Sequence, residues 1–582
     1  MEETSTRLYD LGRQDLESRF DPSVTLVRNR FLPDRHLPHD SLWYAHCLLE
    51  DGRIEEAEAI VEAVLGLQEL RPNDPHHGNF WWHLEDGAVI DLNACQFVLE
   101  SLIAFPVSAL SGPMQERVEA TMRLAFEEAT RLNVHWTYTN IYLLDVHNRI
   151  LGGELLGDAN IQKTGAARLE VWAAKTRQVG APHEFNSPTY TAVQLNCLAG
   201  IAQHTSDPGV RDIALEMEEL VWRHVARYWH SPTMQLGGPH SRAYRRDVVG
   251  ASGFLKVVLY KLLGDERLLA KSPYYEGHDA EGHLIVARTD YHCPPDAEKM
   301  LRASPDRTFR ETVCIAPPVE AVATLAPTYS LGSMSRPYGV GEPPEPWPQN
   351  NSCIAYWRRD ETPGYGGLYC RFRINSGHPG DPSPQASPLW LDVWEDGVFW
   401  TAQNRASAIV AYGLPPRGPR PLTDMRLDIR LLGPHFANVV LPDGTLWNGE
   451  SSPVPPGPIV VADGSAYIGL IPLEATDLGR NAWTILWRDG LETVVSVVNY
   501  TGPPKMFWEY RSLSGPFWKG NIRNGFALRI VDREEFPSAA SFADALARAP
   551  LADEVTGSIR RISLGTGDDV VRLEYDLLEI WP

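Results

Sequence analysis

Residues 187–228 read SPTYTAVQLNCLAGIAQHTSDPGVRDIALEMEELVWRHVARY. Apolar residues recur at three- and four-residue intervals over Thr189–Gln203 and again over Val210–Tyr228, which is the period of an amphipathic helix. Ser187-Pro188 offers a cap followed by a proline at a first helical position, and Ser206-Asp207-Pro208 repeats the signal before the second run. A link this short returns the chain antiparallel, so the stretch reads as a helix hairpin.

The same spacing extends outward over Ile54–Leu67, Val89–Ile103, Met114–Leu132, Thr139–Leu151, Ile161–Thr176 and Val248–Leu263, with Gly152-Gly153 and Gly264 as helix ends. Beyond about residue 310 the pattern changes to short alternating runs cut by Gly and Pro. Examples are Cys353–Trp357, Leu368–Ile374, Leu389–Trp394, Gly397–Thr401, Ala437–Leu441, Ile459–Val461, Ala466–Ile471, Ala482–Trp487, Thr493–Val498, Phe526–Val531 and Val570–Leu573. Turn clusters at Glu395-Asp396-Gly397, Pro442-Asp443-Gly444 and Arg488-Asp489-Gly490 separate them. The expectation is an α+β multidomain chain: antiparallel helix hairpins over residues 1–272, a Pro-, Asp- and His-rich connector over 273–318, and an antiparallel β-sandwich over 319–582.

Composition limits what this chain can do. Of 582 residues, 43% are hydrophobic and 22% charged, enough for a large core. Lys and Arg total 53 against 75 Asp and Glu, a net charge of -22, which argues against general nucleic-acid binding but leaves room for a locally basic site. The 7 cysteines form no CxxC pair, which fits free thiols in a reducing compartment. No apolar leader and no long uncharged apolar run is visible, so a cytoplasmic chain without membrane spans is expected. The sequons at Asn350 and Asn499 read as chance matches. His76, His77 and His83 lack zinc-ligand spacing, Gly364–Gly367 reads as a turn, and there is no Walker loop, HExxH or GxSxG. Neither a metal nor an organic cofactor is expected.

Alternating helix direction sorts the loops into two ends. One end holds LGGELLGD, HTSDP and GDE, short and Gly-rich. The other holds RPNDPHHGNFWWHLEDG, NVHWTYT, QVGAPHEFNS and WHSPTMQLGGPHSRAYRRD, which carry most of the His, Trp, Asn and Tyr of this half. Function concentrates on loops that a rigid scaffold positions. The candidates there are His240, Arg242, Tyr244, Arg245 and Arg246; His183, Glu184, Asn186 and Tyr190; His135, Trp136 and Tyr138; and Trp81, Trp82 and His83. Each set also has a plain structural reading: a solvated basic turn, helix capping, or plugs at the end of the helical core. Two helices of similar length return the chain from Asn186 to the level of His240, so the two loops can be neighbours.

Helix hairpins followed by a β-sandwich resemble the (α/α)-toroid polysaccharide lyases, the group holding chondroitin AC-type, alginate and heparinase-like enzymes. Asn186, His240, Arg242 and Tyr244 match in order the Asn, His, Arg and Tyr that these enzymes set around a uronic acid. The resemblance implies an (α/α) toroid, a uronate-containing anionic oligosaccharide or polysaccharide as partner, and β-elimination to a 4,5-unsaturated uronate. Asn186 and Arg242 would then neutralise the carboxylate, Tyr244 or His240 would take the C5 proton, and a tyrosine, Tyr190 or Tyr244, would protonate the leaving oxygen. The tryptophans and the remaining loop residues would bind substrate. Homo-oligomerisation is left open. Two other readings remain. One is a glycoside hydrolase, including an unsaturated-uronide hydrolase, using two of Glu85, Asp86 and Glu184. The other is a non-catalytic carbohydrate-binding protein.

Overall fold

The structure, a computed structural model, describes residues 2–275, 282–341, 345–375, 395–414, 421–433, 438–479, 481–506 and 522–579. Its first half contains α1 (Glu2–Arg19), α2 (Pro38–Glu50), α3 (Ile54–Leu65), α4 (Ala94–Ala104), α5 (Gly112–Leu132), α6 (Thr139–Leu155), α7 (Ala159–Val179), α8 (Tyr190–His204) and α9 (Pro208–Tyr228). A single turn, α10 (Arg245–Val248), precedes α11 (Phe254–Leu263), α12 (His283–Arg288) and α13 (Pro295–Arg302). The hairpin read in residues 187–228 is α8–α9. The Asp207 carboxylate accepts the N–H groups of Gly209 and Val210 at 2.8 and 3.2 Å, satisfying donors that the start of α9 would leave open.

α2 packs on α3, α4 on α5, α6 on α7 and α8 on α9. The first member of each pair also touches the next: α2 meets α4, α4 meets α6, α6 meets α8, α8 meets α11, α11 meets α1, and α1 meets α2. The contacts close on themselves. Burial differs accordingly. Residues 139–153 of α6 are buried on every side, as a helix enclosed by others must be, while α5, α7 and α9 bury one stripe.

Three features depart from the sequence reading. Gly152-Gly153 lie inside α6 rather than ending it. A Cβ at Gly152 would stand 2.6 Å from the Phe126 ring, and one at Gly153 2.5 Å from the Gln162 amide, so these glycines serve close helix approach. The polar N-terminus forms α1, whose buried residues are only Leu8, Gly12 and Leu16, a stripe too thin to stand out. The stretch read as a connector holds α12, α13 and a strand, Arg307–Ile315, which is paired in the large sheet.

The second half is antiparallel. One nine-stranded sheet runs in the order 452–454, 483–489, 492–505, 422–432, 365–374, 353–358, 329–334, 318–325, 307–315. A six-stranded sheet runs 398–404, 407–413, 524–532, 466–472, 459–463, 438–440. Leu331, Leu368 and Leu427 of the first and Phe399, Ile468 and Phe526 of the second share one buried core. α14 (Ala539–Arg548) and a three-stranded sheet (551–576) cover the outer face of the six-stranded sheet, through Phe542, Ile562 and Leu573. The strand expected at Leu389–Trp394, and part of that at Ala437–Leu441, lie outside the described residues. No helix among the described residues is long and apolar enough to cross a membrane.

The two halves meet where residues 237–247 lie on the large sheet. A Cβ at Gly332 would stand 1.7 Å from the Gly238 carbonyl oxygen, and one at Gly238 1.7 Å from Ile354 Cγ2. Only glycines permit this approach. Gly332→Ala is therefore expected to cost about 1–3 kcal/mol, as overpacking does. Urea titration checks this, and an unchanged midpoint would show that the loop does not need the contact.

Candidate active site

A cavity of about 460 Å³ opens among α1, α2, α4, α6, α8 and the segment 242–246. Its tyrosine end is built by sewing the start of α8 to the 237–247 loop. Asp247 accepts the Tyr244 N–H at 2.9 Å and the Thr189 hydroxyl at 3.1 and 3.0 Å. Arg246 donates to that hydroxyl at 3.2 Å, and the Ser187 hydroxyl donates to the Arg242 carbonyl at 2.5 Å. These bonds occupy residues 187–189, and α8 begins at Tyr190 rather than directly after Ser187. The result is a hydrogen bond between the hydroxyls of Tyr190 and Tyr244, with ring centroids 5.9 Å apart. Burial pushes the Tyr190 hydroxyl well above the usual tyrosine pKa, so Tyr190 keeps its proton.

Arg242 is fixed in plane. Its Nε donates to Gln349 Oε1 at 2.5 Å and its Nη1 to Glu184 Oε1 at 3.1 Å. Its guanidinium lies 4.1 Å from the Tyr190 ring centroid and 5.0 Å from that of Trp347. Glu184, fully buried, also accepts the Asn140 backbone N–H at 2.6 Å and the Asn140 side-chain amide at 2.9 and 2.7 Å. Burial raises the Glu184 pKa, and the Arg242 charge opposes that rise.

Asn186 and His240 lie under the loop and do not line the cavity. Asn186, at φ 49°, donates its amide to the carbonyls of Gly237 and Pro239, both at 2.7 Å. His240 Nδ1 donates to the Asn186 carbonyl at 2.9 Å. These bonds shape the Gly-Gly-Pro bend that delivers Arg242 and Tyr244. Trp82, His83, Tyr138 and Arg246 line the cavity. Trp81, His135, Trp136 and His183 do not. His183 donates to the Gly339 carbonyl at 2.8 Å, and the Trp136 ring packs against it. Arg245 turns to the sheet, donating to Tyr369 and Glu492 at 2.9 and 2.7 Å. Glu85, Asp86 and Glu184 are all engaged away from the cavity wall: Glu85 with His36 at 2.6 Å, Asp86 with Arg35 at 2.5 Å, and Glu184 as above.

Other parts of the wall were not read from the sequence: Arg19 on α1, Arg30, His39 on α2, and Phe97 and Glu100 on α4. Helical periodicity could have flagged Phe97 and Glu100 as one face of α4. Nothing local marks Gln349 and Trp347, which arrive from the sheet half. No group of three or more His, Cys, Asp or Glu arranged for a metal occurs among the described residues.

Burial pushes His183, His230 and His240 down to about 4. An unfolded histidine titrates near ~6.5, so the stability from keeping them neutral is full above that pH and lost as pH falls through about 4. Urea midpoints of the wild type are expected to fall on acidification across this window, and those of His240→Gln less steeply. Equal slopes would mean that His240 does not resist protonation.

A family model described as a domain of unknown function (DUF8769) matches residues 109–287. No curated protein matches the chain. Among solved structures, the chain is similar to a heparinase III at 8% identity, covering 93% of this chain and 82% of that one with a TM-score of 0.44. It is similar to another heparinase III at 9% identity, covering 99% and 90% with a TM-score of 0.34. It is also similar to the heparan sulfate lyase HepC from Pedobacter heparinus at 8% identity, covering 93% and 82% with a TM-score of 0.36.

Proposed function

We propose that the closed cycle of helices is an (α/α) toroid and that its cavity cleaves a uronate-containing oligosaccharide or polysaccharide by β-elimination. The observation that carries this reading is the Tyr190–Tyr244 hydroxyl pair beside the stacked Arg242 guanidinium.

Removing the C5 proton of a uronate builds charge onto its carboxylate. Arg242, held by Glu184 and Gln349, presents a fixed positive charge to that carboxylate and stabilises the enolate-like intermediate without reorganising. Tyr244 acts as the phenolate, to which Tyr190, which stays protonated, donates its hydrogen bond, and it becomes a phenol as it takes the C5 proton. Tyr244 then gives that proton to the departing C4 oxygen as the C4–O bond breaks, leaving a 4,5 double bond and the phenolate ready for the next turnover. Asn186 and His240 act as positioning residues through the bend beneath the loop. Trp82 and Tyr138 supply ring faces for neighbouring sugars. The scheme uses no cofactor.

Incubation with a panel of uronate-containing glycans, followed by ultraviolet absorbance, tests this. A rise from the conjugated double bond supports elimination. New reducing ends without that rise would instead establish a hydrolase, and binding without any cleavage would establish a non-catalytic carbohydrate-binding protein.

A further inference from the structure

The cavity has a second pole, unlike the first. Glu100 lines it, and its carboxyl makes no hydrogen bond or ion pair among the described residues. Its acidic neighbours on the wall are already engaged. Asp15 pairs with Arg19 at 2.7 Å and Arg30 at 2.5 Å, Asp40 pairs with Arg19 at 2.9 Å, and Asp91 accepts the Asn93 N–H at 2.9 Å. A carboxyl left over on a cavity wall is a handle for a ligand, because an unpaired polar group there is costly unless something fills its place.

The surroundings narrow the class of ligand. Phe97 stands one turn before Glu100 on the same face of α4. The Trp82 ring meets Phe97 edge-on at 5.3 Å, and His39 lies 5.7 Å from Phe97. Burial pushes the Glu100 carboxyl up to about 7, and no positive group among the described residues holds it down. A hydroxyl placed here would gain one hydrogen bond. An ammonium would gain a charge-assisted bond and attraction to the aromatic faces together.

We infer that the Glu100 end of the cavity binds the primary ammonium group of an amino sugar, with the Glu100 carboxylate as its partner and Phe97 and Trp82 beside it. The inference rests on the lyase reading only for the other end of the ligand, where Arg242 and Arg246 would meet a carboxylate. The favoured substrate then carries a uronate and an amino sugar with an unsubstituted nitrogen.

The test uses the β-1,4-linked glucosamine disaccharide and its di-N-acetyl form, titrated calorimetrically into the full chain at a pH where the amines are charged. The free amine is expected to bind at least about 10-fold more tightly. Glu100→Gln, which keeps the side-chain shape, is expected to erase that preference at an unchanged melting temperature, and Phe97→Leu to reduce it. Equal or tighter binding of the acetylated form to the wild type would overturn the inference. So would a preference that survives in a folded Glu100→Gln. Neither probe contains a uronate. Elimination without amine preference therefore removes this inference alone, and amine preference without elimination removes the lyase reading alone.

Discussion

Tyr244→Phe is expected to lower kcat for β-elimination by about 10²–10⁴-fold, the usual worth of a positioned general base. The substitution deletes one oxygen and keeps the ring, so KM should change little. The lost Tyr190–Tyr244 hydrogen bond is partly buried and is worth about 1 kcal/mol of stability. A melting curve near that of the wild type, together with the collapse in kcat, separates chemistry from folding. Tyr190→Phe provides the contrast. It removes the donor that stabilises the phenolate but leaves the base, so it should slow turnover less and shift the acidic, rising limb of the pH–rate profile upward. If Tyr244→Phe turns over within a few-fold of the wild type while Tyr190→Phe is inactive, the roles of the two tyrosines are exchanged. If both retain full activity, neither is the base.

The second large effect is on stability. Glu184→Ala should cost about 3–5 kcal/mol, the range found when one member of a buried ion pair is removed. Glu184 is fully buried, and its carboxylate serves both the Asn140 N–H groups and the Arg242 guanidinium. Alanine strands these donors away from water. It also frees the guanidinium plane, so activity should fall even in the fraction that stays folded. Glu184→Gln keeps an acceptor for Asn140 while removing the charge, and should lie between alanine and the wild type. Urea titration of the three proteins, read alongside elimination rates, checks the order. Wild-type stability in Glu184→Ala would mean that Arg242 does not depend on this partner.

What the sequence made legible was periodicity. α8–α9 could be read to within a residue or two because apolar spacing, an Asp207 cap and a proline agreed. α1 could not, because its three buried residues lie among charges. The 307–315 strand escaped notice because Arg310 and Glu311, which pair with Glu320 and Arg227, interrupt its run of apolar side chains. At the site, the loops that hold Tyr190, Arg242 and Tyr244 were visible as an excess of aromatic and basic residues at one end of the helices. Which of those residues reach the cavity was not visible. That depends on bonds between segments, such as Asn186 to Gly237 and Arg242 to Gln349, and no local spacing encodes them. Asn186 and His240 were legible as polar loop residues, but their bonds to the 237–240 bend were not.

The dependence of Arg242 on Gln349 also sets a clock for a chain being made. The two residues are 107 positions apart. At ~5–20 residues per second of synthesis, the guanidinium leaves the ribosome about 5–20 s before its partner does. The helices can pair during that interval, since their contacts lie close in sequence. The 237–247 segment cannot yet take its final shape, because the sheet it rests on has not been made. Nascent chains arrested before residue 349 should therefore hold paired helices around an unfinished mouth, and the cell carries a cavity without a working end until the second half emerges.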